Sequence, residues 1–185
     1  MSLAEVHVAF SDRDFRDALG LFATGVAVIT SVASDGTRLG ATVSSFSSVS
    51  LDPPLVLFSL GRSANAFAAW QAAEHFAVNI LAEAQSDIST RFARAMTDKW
   101  GGVEPRSGEQ GAPLLPGALA WLECTSYAKH DGGDHLIFVG RVTALTIRKS
   151  DEARPLVFFS GKYRQLNFQH RIQTPPDSDH WLHGW

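Results

Sequence analysis

The stretch from Gly40 to Phe58, GATVSSFSSVSLDPPLVLF, constrains this chain more than any other. It sets six small hydroxyl residues (Thr42, Ser44, Ser45, Ser47, Ser48 and Ser50) where half-buried strands usually carry Val, Ile or aromatic side chains. Pro53 and Pro54 follow, then the apolar run Leu55 to Phe58. Proline cannot donate to a ladder in mid-strand, so the Pro-Pro pair marks the start of a buried strand. Read as composition alone, the hydroxyl string is a Ser-rich edge strand or loop. Its second property is chemical: small hydroxyls let a ligand approach the backbone and offer both donors and acceptors.

The same strand-length grain runs through the rest of the chain. Ser11 to Phe22 reads as a helix capped by Ser11, with Asp12 and Asp14 at its positive end and Phe15, Ala18, Leu19, Phe22 and Ala23 on one face. Gly25 is its expected stop. Val26 to Ala33 reads as a strand, Asp35-Gly36 as a hairpin turn, and Arg38 to Ser50 as the returning strand. Leu55 to Leu60 is the buried third strand. Ser63 is placed as the cap of a second helix running to Ala73 with an apolar stripe of Ala66, Phe67, Trp70 and Ala73. Phe76 to Leu81 follows as a strand and Ala84 to Met96 as a third helix. Gly101 to Gly117 is dense in Gly and Pro and reads as a long excursion loop. Leu119 to Lys129, His135 to Arg148 and Leu156 to Ser160 complete the strands, with Asp131-Gly132-Gly133 turning the first of these into the second. Antiparallel hairpins at this spacing favour a barrel over a doubly wound sheet.

Composition bounds the function. With 45% hydrophobic and 19% charged residues the chain is an ordinary globular domain. A net charge of -3 without a Lys/Arg cluster gives no case for nucleic acid. The longest apolar runs are strand-length, so no membrane span is expected. Glu5 stands where a secretory leader would carry a basic stretch, and localisation is read as cytoplasmic. The single cysteine, Cys124, can form no internal disulfide, and its alternation with Leu122 and Ala120 puts it in the core. No Gly-x-Gly-x-x-Gly, P-loop or Gly-x-Ser-x-Gly is present, which removes Rossmann, P-loop and serine-hydrolase readings. His180 and His183 lack a carboxylate-rich partner set, so no metal site is assigned.

Five segments in order carry a resemblance: Phe15 to Val26, Gly40 to Phe58, Phe76 to Leu81, Gly132-Gly133-Asp134-His135 with Phe138 to Val142, and Pro155 to Tyr163. Together they resemble the short-chain flavin reductase-like family, over about residues 13 to 164. Asp98-Lys99-Trp100 and His130 to His135 are most similar to its reductase components of two-component flavin-dependent monooxygenases. The resemblance implies a mainly β fold, an FMN-binding split β-barrel of antiparallel Greek-key type with short flanking helices. It places the domain at 11–165 and leaves 166–185 as a C-terminal tail. Trp181, Leu182 and Trp185 of that tail need burial, for which a partner subunit is one place.

The activity implied is an NAD(P)H:flavin oxidoreductase reducing FMN or FAD with NADH or NADPH for a partner monooxygenase; the alternative is a non-catalytic flavin-binding protein of the same fold. The partners implied are a second copy of the chain, as a homodimer, and the oxygenase. Hydride transfer is carried by the cofactors, so the protein must supply placement and electrostatics. Gly40, Ala41, Thr42, Val43, Ser44 and Ser45 are the residues expected at the ring and ribityl chain. Ser59, Leu60, Gly61, Arg62, Ser63 and Asn65 form a strand-to-helix junction suited to a phosphate. Asp134 is expected to hold the turn and His135 to flank the nicotinamide. Phe92 and Arg94 are expected to reach the flavin or the nicotinamide, with core packing the other reading of Phe92. Tyr163 is expected to close the dinucleotide pocket.

Overall fold

The structure is a computed structural model, and it describes residues 9–95, 98–149, 153–167 and 169. Helix α1 (Asp12–Gly20) starts from Ser11, whose hydroxyl accepts from Asp14 N–H while the Asp14 carboxylate accepts from Ser11 N–H. Strands β1 (Thr24–Gly25), β2 (Ala27–Val32), β3 (Arg38–Val43), β4 (Ser47–Leu51) and β5 (Pro54–Gly61) follow. Then come α2 (Phe67–Ala72), β6 (His75–Ile80), a short 3-10 turn (Glu83–Gln85) and α3 (Ser86–Ala93). The chain closes with β7 (Arg106–Ser107), β8 (Pro113–Leu114), β9 (Ala120–Gly132), β10 (His135–Ile147), β11 (Val157–Phe159) and β12 (Lys162–Arg164). Seven strands make one antiparallel sheet in the order β3-β2-β6-β9-β10-β5-β4, while β1, β11 and β12 form a small second sheet.

The fold is therefore mainly β, as expected. The backbone ladder itself stays open, because β3 and β4 are its two edges. They are consecutive in the chain, joined through the bend at 44–46. The continuous strand expected from Arg38 to Ser50 is thus two strands: Ser44 and Ser45 interrupt the pairing, and β4 turns to the opposite edge of the sheet beside β5.

Three buried clusters fill the interior among the described residues, the third a small one of Ala77, Ala112, Leu114, Ala118 and Trp121. Phe58 stacks on Phe138 at 4.9 Å and meets Phe76 edge-on at 5.2 Å, with Trp70 of α2 beside them. Gly140 is required there: a β-carbon on it would lie 2.2 Å from Phe76 Cζ. Cys124 lies fully buried in the same cluster, and desolvation with the neighbouring Glu123 charge pushes its thiol up to about 12, so it is an inert core residue. The second cluster sets Phe92 of α3 among Val26, Val28, Leu81, Leu115 and Leu156.

The 101–117 segment is a packed element rather than a free excursion. Its β7–β8 hairpin docks on the sheet, and Leu114 and Leu115 are buried. Asn79, wholly buried on β6, ties it down: its Oδ1 accepts from Leu115 N–H (2.7 Å), while its Nδ2 donates to Val28 O (2.9 Å) and Thr30 Oγ1 (3.0 Å). Several boundaries also differ from expectation: α1 stops at Gly20 rather than Phe22, and α3 runs Ser86–Ala93 rather than Ala84–Met96. Helix α2 begins at Phe67 with Ala66 at its cap, so Ser63 caps nothing, and Gly25 belongs to β1 rather than to the end of α1. Trp181, Leu182, Trp185 and the His180–His183 pair lie outside the described residues. Among the described residues no helix is long and apolar enough to cross a membrane.

Candidate functional site

The cleft begins where the ladder stops. As an edge strand, β3 turns the main-chain groups of Arg38, Gly40 and Thr42 outward, away from β2. Two of those carbonyls are covered: Trp100 Nε1 donates to Arg38 O (3.1 Å) and Lys99 Nζ to Gly40 O (3.1 Å). Beyond them the strand bends. Across the gap, β5 has lost its partner β4 beyond Leu57, and Ser45 takes the place of a strand: its Oγ accepts from Ser59 N–H (2.9 Å) and donates to Ser59 O (3.1 Å).

Alternation along β5 then decides where Gly61 points. Arg62 N–H donates to Asp134 O (2.9 Å) on the β10 side. The Gly61 N–H consequently faces the other way, toward the Ser45 side. The turn Gly133-Asp134 joins β9 to β10, with Gly133 at φ 76 and Gly132 paired to His135. It carries His135 directly opposite Gly61.

The result is a cleft of about 310 Å³ lined by Thr42, Val43, Ser44, Ser45, Ser59, Leu60, Gly61 and His135. His135 Nε2 lies 3.6 Å from where a β-carbon on Gly61 would sit, and its Nδ1 is 2.7 Å from Asp134 Oδ1. That contact leaves Nε2 as the ring atom facing the cleft, and it holds the Asp134 carboxyl below the usual carboxylate range. Asp131 is likewise lowered, first by the Gly133 N–H and then by Arg62. A depressed carboxyl keeps its contribution above the ordinary carboxylate pKa and loses it only as pH falls through its own lower value. The turn bearing His135 therefore stays braced at neutral pH.

Several expected residues are placed elsewhere. Thr42 turns its hydroxyl inward, donating to Ser89 O (2.7 Å) of α3, so only its backbone serves the cleft. Arg62 is engaged by the hairpin: its Nε donates to Gly133 O (2.9 Å) and its other end pairs with Asp131 at 3.2 Å. Phe92 is 1% exposed and lies beneath Gly40, where a β-carbon would come within 2.4 Å of its ring. The core reading of Phe92 is the one the packing supports. Arg94 and Tyr163 line a different groove along α3, with Ser86, Asp87, Thr90 and Arg91. Tyr163 Oη donates to Ser89 Oγ (2.8 Å), so Ser89 stands between the two depressions. Asn65 and Gly40 border a third, smaller slot. Sequence reading assigned no role to the Lys99 and Trp100 contacts on β3; an edge strand with a Lys-Trp pair sixty residues on gives no local signal of that contact.

The cleft suits a flat polar ring. Its walls set small hydroxyls and Gly61 beside the apolar Val43 and Leu60, with His135 Nε2 next to Gly61. This agrees with relatedness. The flavin reductase like domain matches residues 19–167. The chain belongs to the flavin reductase-like family. It is 42% identical over 151 residues to the reductase subunit HsaB of a flavin-dependent monooxygenase of Mycobacterium tuberculosis, covering 82% of this chain and 80% of that protein. It is 42% identical over 162 residues to the FMN reductase (NADH) SmoA of Agrobacterium fabrum, covering 86% and 88%. Among solved structures, an NADH:FAD oxidoreductase of Streptomyces globisporus, SgcE6, crystallised with NAD and FAD fragments, superposes with a TM-score of 0.82 at 37% identity, covering 91% of this chain and all of that one.

Proposed function

We propose that this flavin reductase-like protein is an NAD(P)H:flavin oxidoreductase that supplies reduced FMN or FAD to a flavin-dependent monooxygenase. One observation carries the reading: Thr42 to Ser45, Ser59 to Gly61 and His135 line a single cleft. The relatives named as monooxygenase reductase subunits and as an NADH-dependent FMN reductase support the same activity and partner. A bound flavin would supply the hydride chemistry, and the chain's part is to seat the ring and orient the nicotinamide. In this reading the Ser44–Ser45 bend and the Gly61 N–H hold the ring edge, while His135 Nε2, its ring fixed by Asp134, flanks the dihydronicotinamide. The domain spans 11–165 as a split barrel whose open seam is the cleft. Its single thiol, buried and unpaired, is compatible with the cytoplasm.

His135 is the residue that tests the activity. A donor must stand about 3–3.5 Å from its acceptor, so a lost orienting group slows transfer without abolishing it. His135→Ala is expected to raise the KM for NAD(P)H or to lower the anaerobic stopped-flow rate of flavin reduction by up to about 100-fold, with flavin affinity nearly intact. A wild-type rate and wild-type nicotinamide dependence in that variant would reduce His135 to a turn residue. Flavin binding with no NAD(P)H-dependent reduction by the wild-type protein would favour the non-catalytic alternative.

We further propose a homodimer. Helix α1 buries none of its residues, and Phe15, Leu19, Leu21 and Phe22 are 51–77% exposed. Phe15, Ala18 and Leu19 of the expected stripe lie on the helix while Phe22 and Ala23 fall beyond its end at Gly20, and although the Phe10 ring meets Phe15 at 5.7 Å the apolar surface stays largely exposed. Burying one such side chain is worth about 1.5–3 kcal/mol, and a second copy offers that cover. Light scattering is expected to give twice the 20.1 kDa chain mass; a monomer at every concentration would overturn this.

A further inference from the structure

Arg62 was expected to hold a phosphate at the Ser59–Asn65 junction, yet it reaches across to the turn between β9 and β10. Three of its groups grip that turn at three different residues. The main-chain N–H donates to Asp134 O (2.9 Å), Nε donates to Gly133 O (2.9 Å), and Nη2 pairs with Asp131 Oδ1 at 3.2 Å. The same Asp131 oxygen accepts from Gly133 N–H (2.8 Å), so the turn is closed on itself at the point where Arg62 holds it.

The place of this grip matters more than its strength. The β5–β10 ladder ends at the Gly61–His135 pair, and Arg62 carries the attachment one residue further, onto the turn. His135 stands at the junction of the two: it faces Gly61 across the last rung, and its ring is bonded to Asp134, one of the residues that Arg62 holds. The Asp134 side chain is 92% exposed, so its own position rests on the main chain of the turn. Arg62 and Asp131 are also open to solvent, at 39% and 80%, and an exposed ion pair contributes little to stability. A clamp of small energy at this place acts on geometry. It sets the angle at which the turn, and the imidazole with it, stands against the β5 wall of the cleft.

We propose that Arg62 is a positioning residue for the nicotinamide step: by gripping Asp131, Gly133 and Asp134 it holds the His135 imidazole in register with the dihydronicotinamide. It acts through His135 and not on a flavin phosphate. The inference rests on the flavin reductase reading of the cleft and on the place given there to His135.

Anaerobic stopped-flow reduction of flavin by NAD(P)H in Arg62→Met, His135→Ala and the double variant tests this, with FMN and riboflavin titrations and a thermal melt alongside. A 1 Å misplacement costs about 100-fold in rate, so a slackened turn is expected to raise the KM for NAD(P)H or to slow reduction by about 3- to 30-fold. FMN affinity should hold, and the Tm should fall by no more than about 4 °C. The decisive readout is the double variant. Where His135→Ala has already removed the imidazole, adding Arg62→Met should cost little more. Asp131→Asn removes the charge that Arg62 meets and leaves an oxygen for Gly133 N–H; it should reproduce part of the loss with the same dependence on His135, and it decides alone if Arg62→Met does not fold. Wild-type kinetics in the folded variant, losses that multiply in the double variant, or an affinity loss for FMN that spares riboflavin, the mark of a phosphate ligand, would each overturn the proposal. Wild-type kinetics in His135→Ala alone would instead strike the role of His135, and no flavin reduction by wild-type protein would strike the reductase reading; either takes this inference with it.

Discussion

A Ser45→Leu protein is expected to bind flavin about 30- to 1000-fold more weakly than wild type, the equivalent of about 2–4 kcal/mol. Two costs act at one residue. The longer side chain enters the cleft that Ser44, Ser59 and Gly61 line, and the Ser59 N–H and C=O lose the hydroxyl that substitutes for strand pairing. Ser45→Ala separates the two, since it removes the hydroxyl without filling the space, and its loss should be markedly smaller. Fluorescence quenching of FMN and FAD measures both, and a thermal melt establishes that each variant is folded. Wild-type affinity in a folded Ser45→Leu protein would move the cofactor away from this bend altogether.

The second large effect is structural. Asn79→Ala removes three hydrogen bonds from a site with no exposure and leaves Leu115 N–H without its partner. The orphaned N–H costs about 1–3 kcal/mol and the two further lost bonds about 1 kcal/mol together, so a destabilisation of about 2–4 kcal/mol is expected. For a chain of this size that lowers the melting temperature by roughly 4–16 °C. Because Asn79 holds the 101–117 segment rather than the cleft, flavin affinity of the folded fraction should change far less. A melt within experimental error of wild type would show that the segment carries its own order.

The contrast between these two positions shows what a sequence exposes. Ser45 was visible because six hydroxyls in a strand-like run break the usual preference for branched and aromatic residues. The hairpin at Gly133-Asp134 was visible because its turn residues are local. Asn79 was hidden: a polar residue inside FAVNIL reads as an ordinary lapse in an apolar strand, and its partners lie as many as fifty-one residues away in sequence. Distance along the chain also hid the Lys99–Gly40 contact, and with it the reason β3 tolerates being an edge. Phe92 and Arg94 illustrate a different limit. They sit two residues apart, on a helix and at its C-terminal cap, yet one is sealed beneath β3 while the other is exposed at a separate groove. Helical position alone placed both near the cofactor; only the packing of α3 against Gly40 separates them.

The hydroxyl latch between Ser45 and Ser59 has a kinetic meaning. Everywhere else along the seven strands, parting two neighbours breaks a row of main-chain bonds that reinforce one another. At the latch, one side-chain rotation frees both bonds at once, and the ladder on either side keeps its register. Because both bonds hang on one exposed side-chain torsion, the seam is expected to open faster than the paired strands beside it. Amide exchange at Ser59 should outpace that at Phe58 by orders of magnitude. A ligand that wedges into the seam would be felt there before it was felt anywhere else.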